Sequence, residues 1–157
     1  MLSLSPPDPA AIAHDWLRAF VPLVEYVDVA GVLSLLTEGS FWRDRLALTR
    51  DMHTFHGPRK IKWVLDDRLK AMKLTNSRLC NPSLVDNSPV AVWIRSVFDF
   101  DITEYGIGAA VARLVLTPTG EWKGSMIYTS LSGLRDYPER LGEHRSQLPD
   151  HARRLER

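Results

Sequence analysis

The hydrophobic period of the chain changes near residue 77, and this change constrains the fold more than any other feature. Before it, apolar residues recur three and four positions apart, which is typical of amphipathic helices. After it come three runs rich in β-branched and aromatic residues, at 89–102, 107–118 and 121–134. Short links that carry glycine separate the runs and favour antiparallel pairing. The pattern predicts an α+β fold in which a cone-shaped, curved antiparallel sheet packs against three helices.

The helical half contains its own start and stop signals. Asp8 is a candidate N-cap for a first helix, which Pro22 should end or kink. A second, short helix follows Asp28 and should stop by Gly39, because glycine commonly ends helices. A third helix is predicted to begin near Pro58.

Length and composition favour one domain. The chain has 157 residues, 45% of them hydrophobic, and we expect a single domain over 1–142 with a polar tail over 143–157. The net charge of +1 gives no electrostatic reason to expect nucleic acid or an anionic membrane. Cys80 is the one cysteine, expected to be a half-buried thiol. No zinc-site spacing, signal peptide or 18-residue apolar run occurs, so we expect a cytoplasmic protein without metal or cofactor.

The segment SFWRDRLALTRDMHTFHG, residues 40–57, concentrates ionisable and aromatic side chains. Strand alternation divides it into an inward set, Trp42, Asp44, Leu46 and Leu48, and an outward set, Arg43 and Arg45. A carboxylate among apolar groups is a candidate general base, so Asp44 is the predicted catalytic residue. The alternative is an ion pair between Asp44 and one of the neighbouring arginines that holds the strand edge.

The last strand supplies further candidates. Alternation predicts that Trp122, Met126 and Tyr128 point inward and that Thr129 lies on the wet face. Tyr128 could donate a proton or polarise a substrate carbonyl, or its hydroxyl could simply bond to backbone. His53 is the alternative proton donor, since histidine titrates near neutral pH. The predicted substrate-binding residues are Trp42, Arg50, Phe98, Trp122 and Met126.

Other side chains indicate surfaces. Trp63 lies opposite the apolar stripe of the third helix, and an exposed tryptophan suggests a partner surface. Trp93 and Val97 alternate away from the predicted pocket and would leave an apolar patch, so we expect a homodimer or larger homo-oligomer. Asp99 and Asp101 alternate with inward phenylalanines and are expected to be solvated.

The order of elements resembles the SnoaL-like, nuclear-transport-factor-2-like superfamily of cone-shaped α+β domains. WRDRLALTRDMHTFHG, the F-x-F of VFDFD, and EWKGSMIYTSLSGL resemble more closely the amino-terminal module that precedes the flavin-binding part of many fungal flavin-containing monooxygenase-like proteins. The resemblance covers about residues 8–140. Relatives of this kind usually carry an aromatic residue at the position of Arg50 and an arginine at that of His53. No G-x-G-x-x-G is present, so no Rossmann-type dinucleotide binding is expected.

The resemblance leaves two functions open. The first is a cofactor-independent enzyme of secondary metabolism that isomerises, cyclises or dehydrates an apolar, oxygenated substrate. The second is a non-catalytic ligand-binding or assembly module. An inward Asp44 in a pocket of several hundred Å³ would favour the enzyme. An interior filled by Trp16, Phe98 and Trp122, with Asp44 in an ion pair, would favour the module.

Overall fold

A computed structural model describes residues 8–87, 92–103 and 106–138. Within these ranges the chain forms three helices: α1 (Pro9–Glu25), α2 (Val29–Ser34) and α3 (Pro58–Met72). It also forms six strands: β1 (Leu36–Arg45), β2 (Met52–His56), β3 (Leu74–Asn87), β4 (Val92–Ile102), β5 (Gly106–Leu116) and β6 (Trp122–Leu134). The α+β prediction is confirmed. The predicted polar tail, 143–157, and the domain boundary before it lie outside the described residues.

The helices begin where the sequence predicts. The Asp8 carboxylate accepts from the N–H of Ala10 at 3.0 Å, and Asp28 accepts from the N–H of Gly31 at 2.9 Å. Pro22 does not end α1, which continues to Glu25. The last turn retains its hydrogen bonding, because the N–H of Tyr26 donates to the carbonyl of Pro22 at 2.9 Å.

The six strands form one sheet in the order β2-β1-β6-β5-β4-β3. All neighbours pair antiparallel except β1 and β6, which run parallel. The antiparallel strands predicted over about residues 90–132 are confirmed, and the parallel junction joins them to β1. Tight hairpins join only antiparallel neighbours, and β1 and β6 lie far apart in the chain, so no hairpin fixes their relative direction.

The helices cover one face of the sheet, which we call the inner face. There Phe20 of α1 lies 4.6 Å from Trp16 in a stacked pair and 6.1 Å, edge-on, from Phe98 of β4. Ile94 and Phe100 of β4 are buried beside them, as alternation predicts. The core therefore fills the space between α1 and the sheet.

Strand β6 changes face at Ser125. In its pairing with β5, Leu114 faces Gly124 while Arg113 faces Met126, so Ser125 is an extra residue, a β-bulge. The Ser125 hydroxyl donates to the carbonyl of Arg113 at 3.1 Å. From Met126 to Leu131, the side chains therefore point to the face opposite to the one that simple alternation assigns, and a second shift in register follows at Ser132.

Because of the bulge, three of the predicted side-chain orientations are wrong. Met126 and Tyr128 are half-buried on the outer face, not inward. Thr129, predicted to be wet, is 2% exposed on the inner face. Trp122 precedes the bulge and packs against the core as predicted.

Candidate functional site

The Asp44 carboxylate lies on the inner face of β1 and is fully buried. It accepts from the backbone N–H of Leu48 at 3.1 Å and of Thr49 at 2.8 Å. It also accepts from the hydroxyls of Thr49 at 2.8 Å and Thr129 at 2.6 Å. A carboxylate has about four lone-pair positions, of which the two amides and the Thr129 hydroxyl occupy three. The single proton of the Thr49 hydroxyl is shared between Asp44 and the carbonyl of Asp51 at 2.7 Å. The predicted ion pair with Arg43 or Arg45 is absent from the contacts of the described residues, in which both arginines are exposed.

Thr129 links Asp44 to Trp42. The Trp42 indole N–H donates to the Thr129 hydroxyl at 3.1 Å, and that hydroxyl donates onward to Asp44. Trp42 is 1% exposed, so its N–H needs a protein partner. The three buried polar groups thus satisfy one another between β1 and β6. Sequence reasoning missed Thr129, because the bulge that turns it inward has no clear signal in the sequence.

The Asp44 carboxylate also shapes the turn after β1. By holding two turn amides, it draws Ala47 and Leu48 into the core at 1% and 0% exposure. Leu46 takes a positive φ of 65° and is 47% exposed, so its predicted inward orientation is wrong. The strand ends at Arg45, and the alternation of side chains ends there too. Leu48 therefore points inward from a turn rather than from a strand.

The interior beside Asp44 is almost filled. The remaining cavity has a volume of about 10 Å³ and is bounded by Phe20, Trp42, Phe98, Ile127 and Thr129 among others. One water molecule needs about 10–15 Å³ of such space. Phe98, predicted to bind substrate, is 3% exposed and serves as core.

A larger space lies outside the cone, between β2 and α3. This β2–α3 groove has Arg50, His53 and Phe55 on one wall and Arg59, Trp63 and Arg68 on the other. One part has a volume of about 270 Å³ and the adjoining, more open part about 650 Å³. The structure thus brings two predicted site residues, Arg50 and His53, into one groove.

The other predicted site residues do not converge there. Asp44 and Trp42 belong to the buried network, and Tyr128 and Met126 lie on the outer face. His53 is exposed and lies 3.9 Å from the carboxylate of Asp51. Asp44 and His53 lie opposite each other in the β1–β2 register, but no hydrogen bond or ion pair joins their side chains among the described residues, and Tyr128 lies on the other face of the sheet.

Asp101 was expected to be solvated and is instead a buried anchor. Its carboxylate, 8% exposed, accepts from the Asn76 amide at 2.8 Å and pairs with Arg135 at 2.7 Å and Arg78 at 3.7 Å. The Asn76 hydrogen bond, followed by that of Arg135, lowers the pKa of Asp101 below its ordinary value. Alternation alone missed these partners because they come from β3 and from the turn after β6.

Three further predictions concern the cysteine, metal ligands and membrane spans. Cys80 is exposed rather than half-buried, since it lies on edge strand β3, where its thiol donates to the carbonyl of Arg78 at 3.4 Å. The described residues contain no cluster of three His, Cys, Asp or Glu side chains placed to hold a metal ion. None of the helices in these ranges combines the length and apolar character that a bilayer crossing requires.

Comparison with solved structures places the fold. A ketosteroid isomerase-like protein from Erwinia carotovora atroseptica aligns with a TM-score of 0.60 and 12% identity, over 82% of this chain and 99% of its own. ActVI-ORFA from Streptomyces coelicolor aligns with a TM-score of 0.57 and 15% identity, over 78% of this chain and 96% of its own. An NTF2-like protein with a cystatin-like fold from Novosphingobium aromaticivorans aligns with a TM-score of 0.53 and 15% identity, over 78% of this chain and 80% of its own. The chain has this NTF2-like, cystatin-like fold.

The sequence itself gives no closer relation. No protein-family model matches it, and no curated protein matches it at a significant level. At 12–15% identity the structural likeness defines the fold alone.

Proposed function

We propose that this domain is a non-catalytic assembly module that pairs with a second copy of itself through the outer face of its sheet. The filled interior beside Trp42 and Thr129 carries the proposal, since a cavity of about 10 Å³ leaves no room there for an organic substrate. A space of about 330 Å³ opens between α1 and β3, and Asp44 does not line it. The donors around Asp44 support it, because a general base needs a lone pair directed at the substrate proton.

The outer face has the character of an interface. The helices pack on the inner face, and within the described residues no helix covers the outer one. Apolar side chains from four strands lie half-buried or partly exposed there: Phe41, Val97, Val111, Val115, Met126 and Tyr128. Arginines interrupt this surface, because Arg113 lies opposite Met126 and Arg43 lies opposite Tyr128. Exposed apolar side chains bordered by polar groups are typical of an interaction surface. The resemblance to modules fused to a separate flavin-binding half agrees with an assembly role.

Sedimentation equilibrium at micromolar concentrations tests the proposal. We expect a mass above the 17.8 kDa of one chain, and a return to 17.8 kDa for Val111→Lys and for Met126→Glu. Ala71→Glu, an exposed change on α3, should leave the mass unchanged. Circular dichroism confirms that each variant is folded. A wild-type protein of 17.8 kDa throughout the concentration range would overturn the proposal.

The ketosteroid isomerase-like neighbour favours one second candidate, a cofactor-independent enzyme that moves protons on an apolar, oxygenated substrate. That function would require the interior to open and Asp44 to exchange a structural donor for substrate. Its test is turnover of a β,γ-unsaturated cyclic ketone to the conjugated ketone, followed by absorbance. A loss of about 10²–10⁴-fold in a folded Asp44→Asn protein would support the enzyme. Absence of turnover, or its persistence in the variant, would remove Asp44 from catalysis.

A further inference from the structure

The free edge of β2 can accept another strand. β2 is the last strand at its end of the sheet, and it pairs with β1 in a regular register from Met52 to His56. The N–H of Gly57 donates to the carbonyl of Ser40 at 2.9 Å, which fixes the phase of the ladder. Antiparallel ladders alternate, so the backbone groups of Thr54 and His56 point away from β1. Within the described residues, no strand pairs with that side.

The opposite edge of the sheet is different. There β3 shifts register against β4 at three points, and α1 packs along it. Such irregularities block edge-to-edge pairing. The β2 edge has no shift in register and has retained its capacity to pair.

Helix α3 runs beside the β2 edge in the opposite direction. Arg59, Lys60 and Trp63 lie against Thr54 and Phe55 at one end of the groove. Residues further along α3 lie against Asp51 and His53 at the other end. Alternate residues of a strand are about 6.7 Å apart and one helical turn rises 5.4 Å, so successive inward side chains of an added strand would meet successive turns of α3.

The middle of the groove is aromatic. Trp63 is 69% exposed, and its ring lies 6.4 Å from that of Phe55. An exposed tryptophan beside a half-buried phenylalanine gives an apolar side chain a contact surface. This exposure confirms the orientation that the helical pattern predicts for Trp63.

In the part of the chain that the structure describes, the groove has unpaired basic side chains at both ends and a net positive charge at one of them. Within the described residues, Arg50, Arg59 and Lys60 form no ion pair. Of the acidic residues that line the groove, Asp67 pairs with Arg68 at 2.8 Å and Asp51 lies near His53. The net charge is therefore positive at the Arg59 and Lys60 end, which complements an acidic side chain, whereas at the other end Asp51 offsets Arg50.

We propose that the β2–α3 groove binds an extended acidic peptide of a partner protein, which adds to β2 as a seventh strand. The peptide pattern is acidic, any, apolar, any, acidic. The apolar side chain contacts Phe55 and Trp63, one acidic side chain meets Arg59 and Lys60, and the other meets Arg50. Main-chain hydrogen bonds to Thr54 and His56 supply the rest of the binding energy.

Isothermal titration with the capped synthetic peptide SESFSES tests this proposal. We expect binding that weakens about tenfold in Trp63→Ala and at least as much in the double variant Arg59→Glu, Lys60→Glu. Lys62→Glu is the matched control, because Lys62 lies on α3 outside the groove and pairs with Asp66. It should bind like the wild type. The peptide SKSFSKS should not bind.

Strand addition has its own readout. Methylation of the amides of the two central serines removes the donors that would face β2, and should abolish binding. Amide exchange at Thr54 and His56 should slow when the unmodified peptide is added. No binding of SESFSES, equal binding of SKSFSKS, or binding of the methylated peptide would overturn the proposal. Protection at Thr54 and His56 that rises with protein concentration alone would assign this edge to a second copy instead.

Discussion

The cone interior and the β2–α3 groove differ in where they leave space. Trp42 in the interior is 1% exposed beside a cavity of about 10 Å³, whereas Trp63 in the groove is 69% exposed beside about 270 Å³. The same eighteen-residue segment, 40–57, contributes to both. In this chain, side-chain volume and the Trp42, Thr129 and Asp44 hydrogen bonds close the interior at β1 and β6, whereas open space lies at the β2 edge and between α1 and β3.

The largest contrast is expected between the two tryptophans. Trp42→Ala should lower the free energy of unfolding by about 3–5 kcal/mol, because it opens a cavity and leaves the Thr129 hydroxyl without its donor. Trp63→Ala should change it by about 0.5 kcal/mol or less. Urea unfolding followed by circular dichroism measures both. Equal losses would show that the interior is not tightly packed.

Two carboxylates give the next contrast. Asp44→Asn places an amide donor against backbone donors, and should cost roughly 2–3 kcal/mol of stability. Asp67→Asn in the groove has an exposed carboxylate and should cost about 1 kcal/mol or less. The same unfolding experiment compares them. An Asp44→Asn protein as stable as the wild type would contradict the structural role of that network.

The hydroxyl of Thr129 tests the link between β1 and β6. Thr129→Val removes the donor to Asp44 and the acceptor of the Trp42 indole, and we expect a loss of about 1–3 kcal/mol. Thr129→Ser keeps the hydroxyl and should recover most of that loss. If serine and valine destabilise equally, the effect comes from packing rather than hydrogen bonding.

The smallest expected effect is the pH dependence of Asp101. Because its pKa is lowered in the folded state, its stabilising contribution is present above the unfolded pKa and is lost as pH falls through the folded pKa. The stability difference between wild type and Asp101→Asn should therefore shrink between about pH 7 and about pH 2. A pH-independent difference for Asp101 would contradict this account.

Much of the fold follows from local signals in the sequence. Asp8 and Asp28 cap the helices as predicted, and β4 alternates as its apolar pattern indicates. Trp42 and Asp44 point inward for the same reason. These features depend on neighbours in the chain, so periodicity and capping preferences are enough to predict them.

The parts that were missed depend on contacts between distant segments. The bulge at Ser125 reverses Tyr128 and Thr129, and it is visible only in the pairing of β6 with β5. Leu46 turns outward because Asp44 captures the amides beyond it. Asp101 is buried by partners far along the chain. A single sequence shows none of these pairings, so the predicted site around Asp44 is replaced by the β2–α3 groove.

A crystal structure under xenon pressure tests the central contrast most directly, because xenon enters dry apolar cavities of sufficient size. The filled interior predicts no xenon among Phe20, Trp42 and Phe98 in the wild-type protein. The Phe98→Ala variant, if folded, provides the matched control and should bind xenon in the cavity that it creates. Xenon bound at that place in the wild type would contradict the account and return the cone interior to consideration as the ligand site.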